Sequence, residues 1–402
     1  MASTLESSDC KANDPDTETL ELVRGGDLAI PEYNLGLKNY GSNCYVNAVL
    51  QCLMATGPLM AYLQRHRRDD DVNNVDDADD EVGTESCVYS KNQLFCAMCA
   101  LRRLRKAHDS GSIASGSVNE DFVYSVPAIS DSLRFDRHED AHEYLLALLH
   151  YMGNNADVTE QVHSSHSSKH NIIQRLFVGQ TVTDVRCSVC GTGFKSYDHW
   201  LNLSLDVSQC KTLQEGVSQY TREEELREDN AYMCSVCRKP QLATRLTCIH
   251  RAPPILIVQL NRFSQSNEKL DVVVQFPAVM DIGPHMADRS ASPVGYHLYA
   301  TINHRGENAQ CGHYVAYTKR RENQWYCHND ETTTKVEPGQ VLGEAPYLLF
   351  YQRVSGHRSA SGVVKDHVLD QAHAHEGASL SHGKKRRRRR RKGISMQNNE
   401  EK

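Results

Sequence analysis

Along residues 36–53, GLKNYGSNCYVNAVLQCL, small and polar residues give way at Cys44 to an apolar run. Val46, Val49, Leu50 and Leu53 fall at i, i+3, i+4 and i+7, the spacing of one buried helix face. Asn43 stands where an N-cap is expected, and Gly57-Pro58 reads as a stop. A second helix is predicted from the apolar stretch near Leu94 to Leu104, and a third from HEDAHEYLLALLHYMG at 138–153. In that third segment Ala141, Tyr144, Leu145, Leu148, Leu149 and Met152 share a face, with acids in the first turn. Beyond residue 200 the period shortens. Leu201 to Leu205, Ile255 to Leu260, Tyr296 to Ile302, Gly312 to Thr318 and Tyr347 to Tyr351 read as strands. Helices first and strands later predict an α+β fold rather than a repeating βαβ order. No internal repeat is evident.

The unpatterned stretches set the boundaries. An organised region is expected over 34–353, after an acidic, disordered leader at 1–33 and before a disordered tail at 354–402. An acidic insertion, about 69–86, opens on DDDVNNVDDADDE and lacks apolar periodicity. HSSHSSKH at 163–170 is irregular in spacing and reads as a polar loop rather than a metal site. At 402 residues and 39% hydrophobic, the chain can bury a sizeable core. Fourteen cysteines would suggest disulfides in a secreted protein. No apolar leader precedes them and no stretch approaches a membrane span, so a soluble protein of a reducing compartment is expected, without a membrane partner.

Charge is unevenly placed. Lys384 to Lys392, KKRRRRRRK, is wholly cationic although the chain's net charge is −6, so the remainder is strongly acidic. Such a run cannot pack and stays solvated or binds an anion. It reads as a nuclear import signal or an RNA-contacting patch. Nuclear localisation follows, with the nucleolus as the finer expectation and the cytoplasm as the alternative.

Cysteines and histidines supply candidate chemistry. Cys44 falls in a first helical turn, where unpaired N–H groups and the macrodipole favour a thiolate. Cys187-Ser-Val-Cys190 and Cys234-Ser-Val-Cys237 repeat one tetrapeptide. Two such knuckles complete a closed Cys₄ structural zinc site, with no open position for catalysis. Cys96-Ala-Met-Cys99 has the same spacing but lies in an apolar helical stretch, where buried thiols are the better account. A nucleophilic thiol needs a base and the base an orienter. His313, in CGHYVAY, shares a strand face with Val315 and Tyr317, and Gly312 permits close backbone approach beside it. WYCHND at 325–330 then offers Asn329 and Asp330, either able to accept the imidazole N–H. Together these are the parts of a Cys-His-Asn/Asp thiol protease.

GLKNYGSNCYVNAVLQCL and YHLYATINHRGENAQCGHYVAYTK resemble the two signature boxes of the ubiquitin-specific proteases. HEDAHEYLLALL resembles their intermediate box, and PPILIVQLNRF the strand motif before the histidine box. The resemblance spans roughly 34–353 in the family's order. HEDAHEY, NAYMC and the basic tail are most similar to the branch of ubiquitin carboxyl-terminal hydrolases thirty-six and forty-two. The resemblance implies a papain-like core with a helical thumb, a mixed palm and zinc-bearing β-fingers, the latter about 178–250. It implies hydrolysis of the (iso)peptide bond after ubiquitin's C-terminal glycine, with ubiquitin and ubiquitylated proteins as partners and no catalytic cofactor. Cys44 matches the nucleophile, His313 the base, and Asn39 the asparagine whose amide donates to the oxyanion. Asn329 matches the third member by spacing, with Asp330 beside it as a substitute. Asp140 and Glu143 match acids that hold ubiquitin's basic tail, and Gly312 is a candidate lining residue of the cleft. Ser42, Asn43, Asn261 and His328 depart from the family's usual residues; none removes a reacting group, but Asn43 is expected to disturb the turn that aims the thiol.

Overall fold

A computed structural model describes residues 19–24, 34–65, 95–111, 119–163, 170–263, 269–270, 272–289, 293–308 and 311–354. The acidic insertion, almost all of the His/Ser stretch and the basic run lie outside the described residues. The leader departs from expectation. Residues 19–24 are helical, Leu22 and Val23 are buried, and Arg175 Nε donates to Thr19 Oγ1 at 3.0 Å. A few apolar side chains suffice to dock this short segment despite its acidic surroundings.

The first half is a helical layer: α1 (Cys44–Met54), α2 (Gly57–Arg65), α3 (Ala97–Ser110), α4 (Glu120–Tyr124), α5 (Val126–Ile129), α6 (Ala141–His163) and α7 (Ile172–Phe177). All six positions expected on one face of α6 are fully buried. Gly57-Pro58 does end α1's direction, but it does so by opening α2 at an 80° bend. α1 is buried on every side, including Asn47 and Gln51. Asn43, Asn47 and Gln51 follow i, i+4, i+8 and form one polar stripe on an otherwise apolar helix. That stripe grips the preceding chain. Gln51 Nε2 donates to the Leu35 carbonyl at 2.8 Å, and Asn47 Nδ2 to those of Leu37 and Lys38 at 3.2 Å.

The second half contains β1 (Gly179–Cys187), β2 (Gly193–Trp200), β3 (Leu203–Asp206), α8 (Leu213–Tyr220), β4 (Glu224–Leu226), β5 (Tyr232–Cys234), β6 (Lys239–Gln241) and β7 (Ala243–Arg251). It continues through β8 (Ile255–Asn261), β9 (Val279–Asp281), β10 (Gly295–Asn308), β11 (Cys311–Lys319), β12 (Trp325–Asn329), β13 (Thr332–Val336), α9 (Pro338–Leu342) and β14 (Pro346–Arg353). The large sheet runs β13-β12-β11-β10-β14-β8-β3, with β9 also pairing β10. Only the β3–β8 pair is parallel among its described pairings. Both faces of this sheet are covered. Along β8, Ile255 and Ile257 join the core shared with the helices, whereas Leu256, Val258 and Leu260 join a second core under α8. Leu348 and Phe350 of β14 likewise face one way, and Leu349 and Tyr351 the other. Near-continuous apolar strands follow from burial on two faces.

A separate four-stranded sheet, β2-β1-β7-β4, and the small β5–β6 ribbon complete the architecture. Helical layer, mixed sheet and cysteine-bearing strands correspond to the thumb, palm and fingers of the expected α+β fold.

Candidate active site

Cys44 opens α1 and is fully buried. Asn43 occupies the N-cap position, yet its side chain makes no capping bond to the helix. It is used to build the approach instead. Its Oδ1 accepts from the Tyr40 N–H at 2.6 Å, and its Nδ2 donates to the Lys38 carbonyl at 3.2 Å and to Asn47 Oδ1 at 3.1 Å. Contrary to expectation, the unusual residue before Cys44 thus braces the turn that aims the thiol rather than disturbing it.

β11 carries His313 to this helix start. Its Nε2 lies 2.6 Å from Asn329 Oδ1, at the end of β12, and 3.7 Å from Asp330 Oδ2. The imidazole pKa is raised to about 9, first by side-chain contact with Cys44 and further by Asn329 and by the charges of Cys44 and Asp330, against the opposing effect of burial. With Nε2 directed at Asn329, Nδ1 is the nitrogen left for the thiol.

Asn329 and Asp330, alike in sequence, are occupied differently. Asp330 has φ +50°, a left-handed turn that favours glycine but is tolerated by Asp. Its Oδ2 accepts from Asn39 Nδ2 and its Oδ1 from Asn47 Nδ2, each at 2.7 Å. The main chain is joined as well. The Leu37 N–H donates to the Asp330 carbonyl at 2.8 Å, and the Asn39 N–H to Glu331 Oε1 at 2.7 Å. A Cβ at Gly36 would lie 2.0 Å from the Glu331 carbonyl oxygen, so only glycine allows this approach. Asn39 is therefore clamped by Asp330 beside the helix start, while Asn329 faces His313.

The other expected site residues lie around this centre. Asp140, just before α6, accepts from the His142 N–H at 2.7 Å and from Tyr347 OH at 2.8 Å. Glu143, exposed one turn on, accepts from Ser132 Oγ at 2.8 Å. Gly312 packs against His304, whose Nε2 would lie 2.1 Å from an added Cβ. Burial first, then the nearby Lys269, His138 and His313, lowers the His304 pKa to about 4, so this imidazole is neutral. His328 is buried between the Thr318 and Thr333 hydroxyls at 2.8 and 3.3 Å, and Asn261 accepts from Ser204 Oγ at 2.8 Å. One neighbour of the thiol was not singled out from sequence: His138 Nδ1 lies 4.0 Å from Cys44 Sγ.

At the ends of β1 and β5, the sulfurs of Cys187, Cys190, Cys234 and Cys237 lie within 4.8 Å of one another. Cys190 and Cys234 are 3.5 Å apart. A tetrahedral ion with Zn–S bonds of about 2.3 Å places sulfurs about 3.8 Å apart, so the cluster fits structural zinc. The two knuckles share a turn geometry. The Gly191 N–H donates to the Cys187 carbonyl at 2.9 Å, and the Arg238 N–H to the Cys234 carbonyl at 2.8 Å. Both Gly191 and Arg238 have positive φ. Cys96 and Cys99 have no place in this or any other described metal-competent cluster.

A family model described as "Ubiquitin carboxyl-terminal hydrolase" matches residues 35–351. The chain belongs to the ubiquitin carboxyl-terminal hydrolase family. Among its relatives, ubiquitin carboxyl-terminal hydrolase 17-like protein C of Mus musculus is 31% identical over 79% of this chain and 54% of its own length. Ubiquitin carboxyl-terminal hydrolase 17-like protein 6 of Homo sapiens is 30% identical over 79% of this chain and 73% of its own. The chain spans about half the length of several of the curated relatives it matches. In fold, this hydrolase-family chain is similar to the SAGA Ubp8/Sgf11/Sus1/Sgf73 DUB module bound to ubiquitin aldehyde, at a TM-score of 0.65 and 24% identity. That likeness covers 87% of this chain and 73% of the other.

Proposed function

We propose that this chain is a deubiquitinating thiol protease that hydrolyses the (iso)peptide bond after the C-terminal glycine of ubiquitin. The contact series Cys44–His313–Asn329 carries this reading, because it joins a nucleophile, a base and an orienter. The imidazolium form of His313 extends to about pH 9 beside Cys44, which suits a thiolate–imidazolium pair. The Cys44 sulfur attacks the glycine carbonyl carbon, and the developing oxyanion accepts from Asn39 Nδ2 and backbone N–H groups at the start of α1. His313 then protonates the departing lysine amine as the C–N bond breaks. Next it takes a proton from water, whose oxygen displaces the sulfur and frees the thiolate. Asn329 orients the ring. Asp330 is the clamp that holds Asn39 in place.

Asp140 and Glu143 are the acids that meet ubiquitin's basic tail, with Gly312 beside the path of its glycines. HEDAHEY, NAYMC and the basic run favour the branch of hydrolases thirty-six and forty-two within the family. The cationic run at 384–392 supports a nuclear, and more narrowly nucleolar, address read by an import receptor or held by RNA. Hydrolysis of a ubiquitin–fluorophore conjugate and covalent capture by a ubiquitin probe bearing a C-terminal electrophile test the activity. Neither signal should survive in Cys44→Ala, and activity persisting there would overturn the assignment.

A further inference from the structure

His138 has no role in the scheme above, yet it touches the reacting atom. Its Nδ1 lies 4.0 Å from Cys44 Sγ, and among the described residues this is its only hydrogen-bond contact. The distance is at the long end for an N–H···S bond, and contacts of this kind tighten when substrate closes a site.

The loop bearing His138 is braced against the nucleophile's own helix. Tyr45 OH, on the residue after Cys44, donates to the Arg134 carbonyl at 3.2 Å. The Arg134 N–H donates to Glu139 Oε1 at 3.0 Å, and Arg137 Nε pairs with the same carboxylate oxygen at 3.4 Å. Charges on both sides of His138 are thus spent on each other, and its ring is left facing the sulfur.

The remaining surroundings leave room for this role. Cys44 interacts with His313, His138 and the phenols of Tyr45 and Tyr314, the first phenol lying near Asp136 and Glu139 and the second near Asp140. His304, which faces both His138 and His313, is packed on Gly312 and neutral, so it adds no competing cation.

We propose that His138 is a second catalytic imidazole, donating its Nδ1–H to the Cys44 thiolate so that the sulfur is held by two histidines. The inference rests on Cys44 being the nucleophile. His138 keeps its proton throughout, and no bond to it forms or breaks. In the resting enzyme the donor raises the thiolate fraction at mildly acidic pH. When the sulfur bonds to the carbonyl carbon, its charge passes to the carbonyl oxygen and the His138 contact relaxes. The arrangement extends activity toward lower pH at some expense in nucleophilicity, since a better-stabilised thiolate attacks more slowly.

The test uses the full chain and follows iodoacetamide alkylation of the Cys44 peptide by mass spectrometry from pH 5 to 9, alongside kcat/KM for a ubiquitin–fluorophore. His138→Leu removes the donor. His138→Asn places an amide N–H near the position of Nδ1. In His138→Leu the alkylation midpoint should rise by about one pH unit, with a reaction roughly threefold slower on the acidic limb and an alkaline plateau raised about threefold by the more nucleophilic thiolate. The acidic limb of kcat/KM should move with it, and His138→Asn should recover part of the shift. An unchanged midpoint in His138→Leu, or a loss uniform across pH and unrelieved in His138→Asn, would overturn the proposal. Failure of the underlying reading looks different: Cys44→Ala would keep its activity whatever the state of residue 138.

Discussion

Replacing Asp330 by alanine removes the acceptor of two amide donors in one step. Asn39 Nδ2 and Asn47 Nδ2 each sit 2.7 Å from a separate carboxylate oxygen, on a side chain only 9% exposed. Hydrogen bonds to a charged partner contribute about 1.5–3 kcal/mol each. Asn47 keeps the Leu37 and Lys38 carbonyls at 3.2 Å and is partly compensated. Asn39 keeps its main-chain bond to Glu331 Oε1 at 2.7 Å and its Oδ1 contact to the Gly41 N–H at 2.8 Å, neither of which holds the Nδ2 group in place. The expected loss of folding stability is therefore about 3 kcal/mol, nearer one full bond and part of a second than two. The kinetic loss has a different origin. A freed Asn39 amide no longer points at the oxyanion, and losing one such donor costs roughly 10²–10³ in kcat, or about 3–4 kcal/mol. His313 keeps Asn329 at 2.6 Å, so its orientation should survive. Urea unfolding measures the first quantity; kcat and KM for a ubiquitin–fluorophore measure the second. Asp330→Ala should lower kcat about a hundredfold with little change in KM. An Asp330→Ala enzyme within threefold of the parent and with an unshifted urea midpoint would refute the clamp.

Asn329→Ala should lower kcat through a mis-set imidazole while leaving the urea midpoint nearly unchanged, because the Asn329 side chain is exposed; a large stability loss would contradict this. Cys44→Ala combined with His313→Ala should be no less active than either single variant, since members of one catalytic unit are non-additive, and further loss on combination would argue against a shared step. Buried neutral His328 has its pKa well below 6.5, chiefly through burial. The unfolded chain takes up that proton first as pH falls below about 6.5, so stability should decline by up to about 1.4 kcal/mol per pH unit; equal urea midpoints at pH 7 and pH 5 would exclude it. Cys234→Ser should release one zinc per chain and lower thermal stability, because metal-binding energy is coupled to folding; elemental analysis of the parent checks the stoichiometry.

The palm and thumb are readable in sequence because burial imposes a period on them. α6 shows its buried face at 3.6 residues, and β8 is apolar throughout because both of its faces are covered. β2 carries no such signal: GFKSYDHW is exposed along most of its length, so no alternation marks it as a strand. The Cys-x-x-Cys knuckles were legible because two ligands share a few residues of chain. Asp330 was legible only as a neighbour of Asn329. Its partners lie 291 and 283 residues away, and its turn needs a positive φ that an Asp does not announce. Asn43 misled as an N-cap for a related reason: its side chain serves the turn before the helix rather than the helix itself. His138 is separated by 94 residues from the sulfur it faces, which no local pattern reveals.

The polar stripe on α1 binds the site's history as well as its geometry. Asn47 and the loop before it receive Asp330 from the far end of the chain, and His313 reaches Cys44 only through β11. During synthesis Cys44 emerges early, whereas His313, Asn329 and the Asp330 clamp on Asn39 follow hundreds of residues later. Contacts of such sequence separation form late, after the loop between them has closed. On the proposed mechanism, a nascent or truncated chain therefore carries a thiol without a catalyst, and hydrolysis would switch on only when the last strands of the palm have docked. Activity in such an architecture would report completion of the fold.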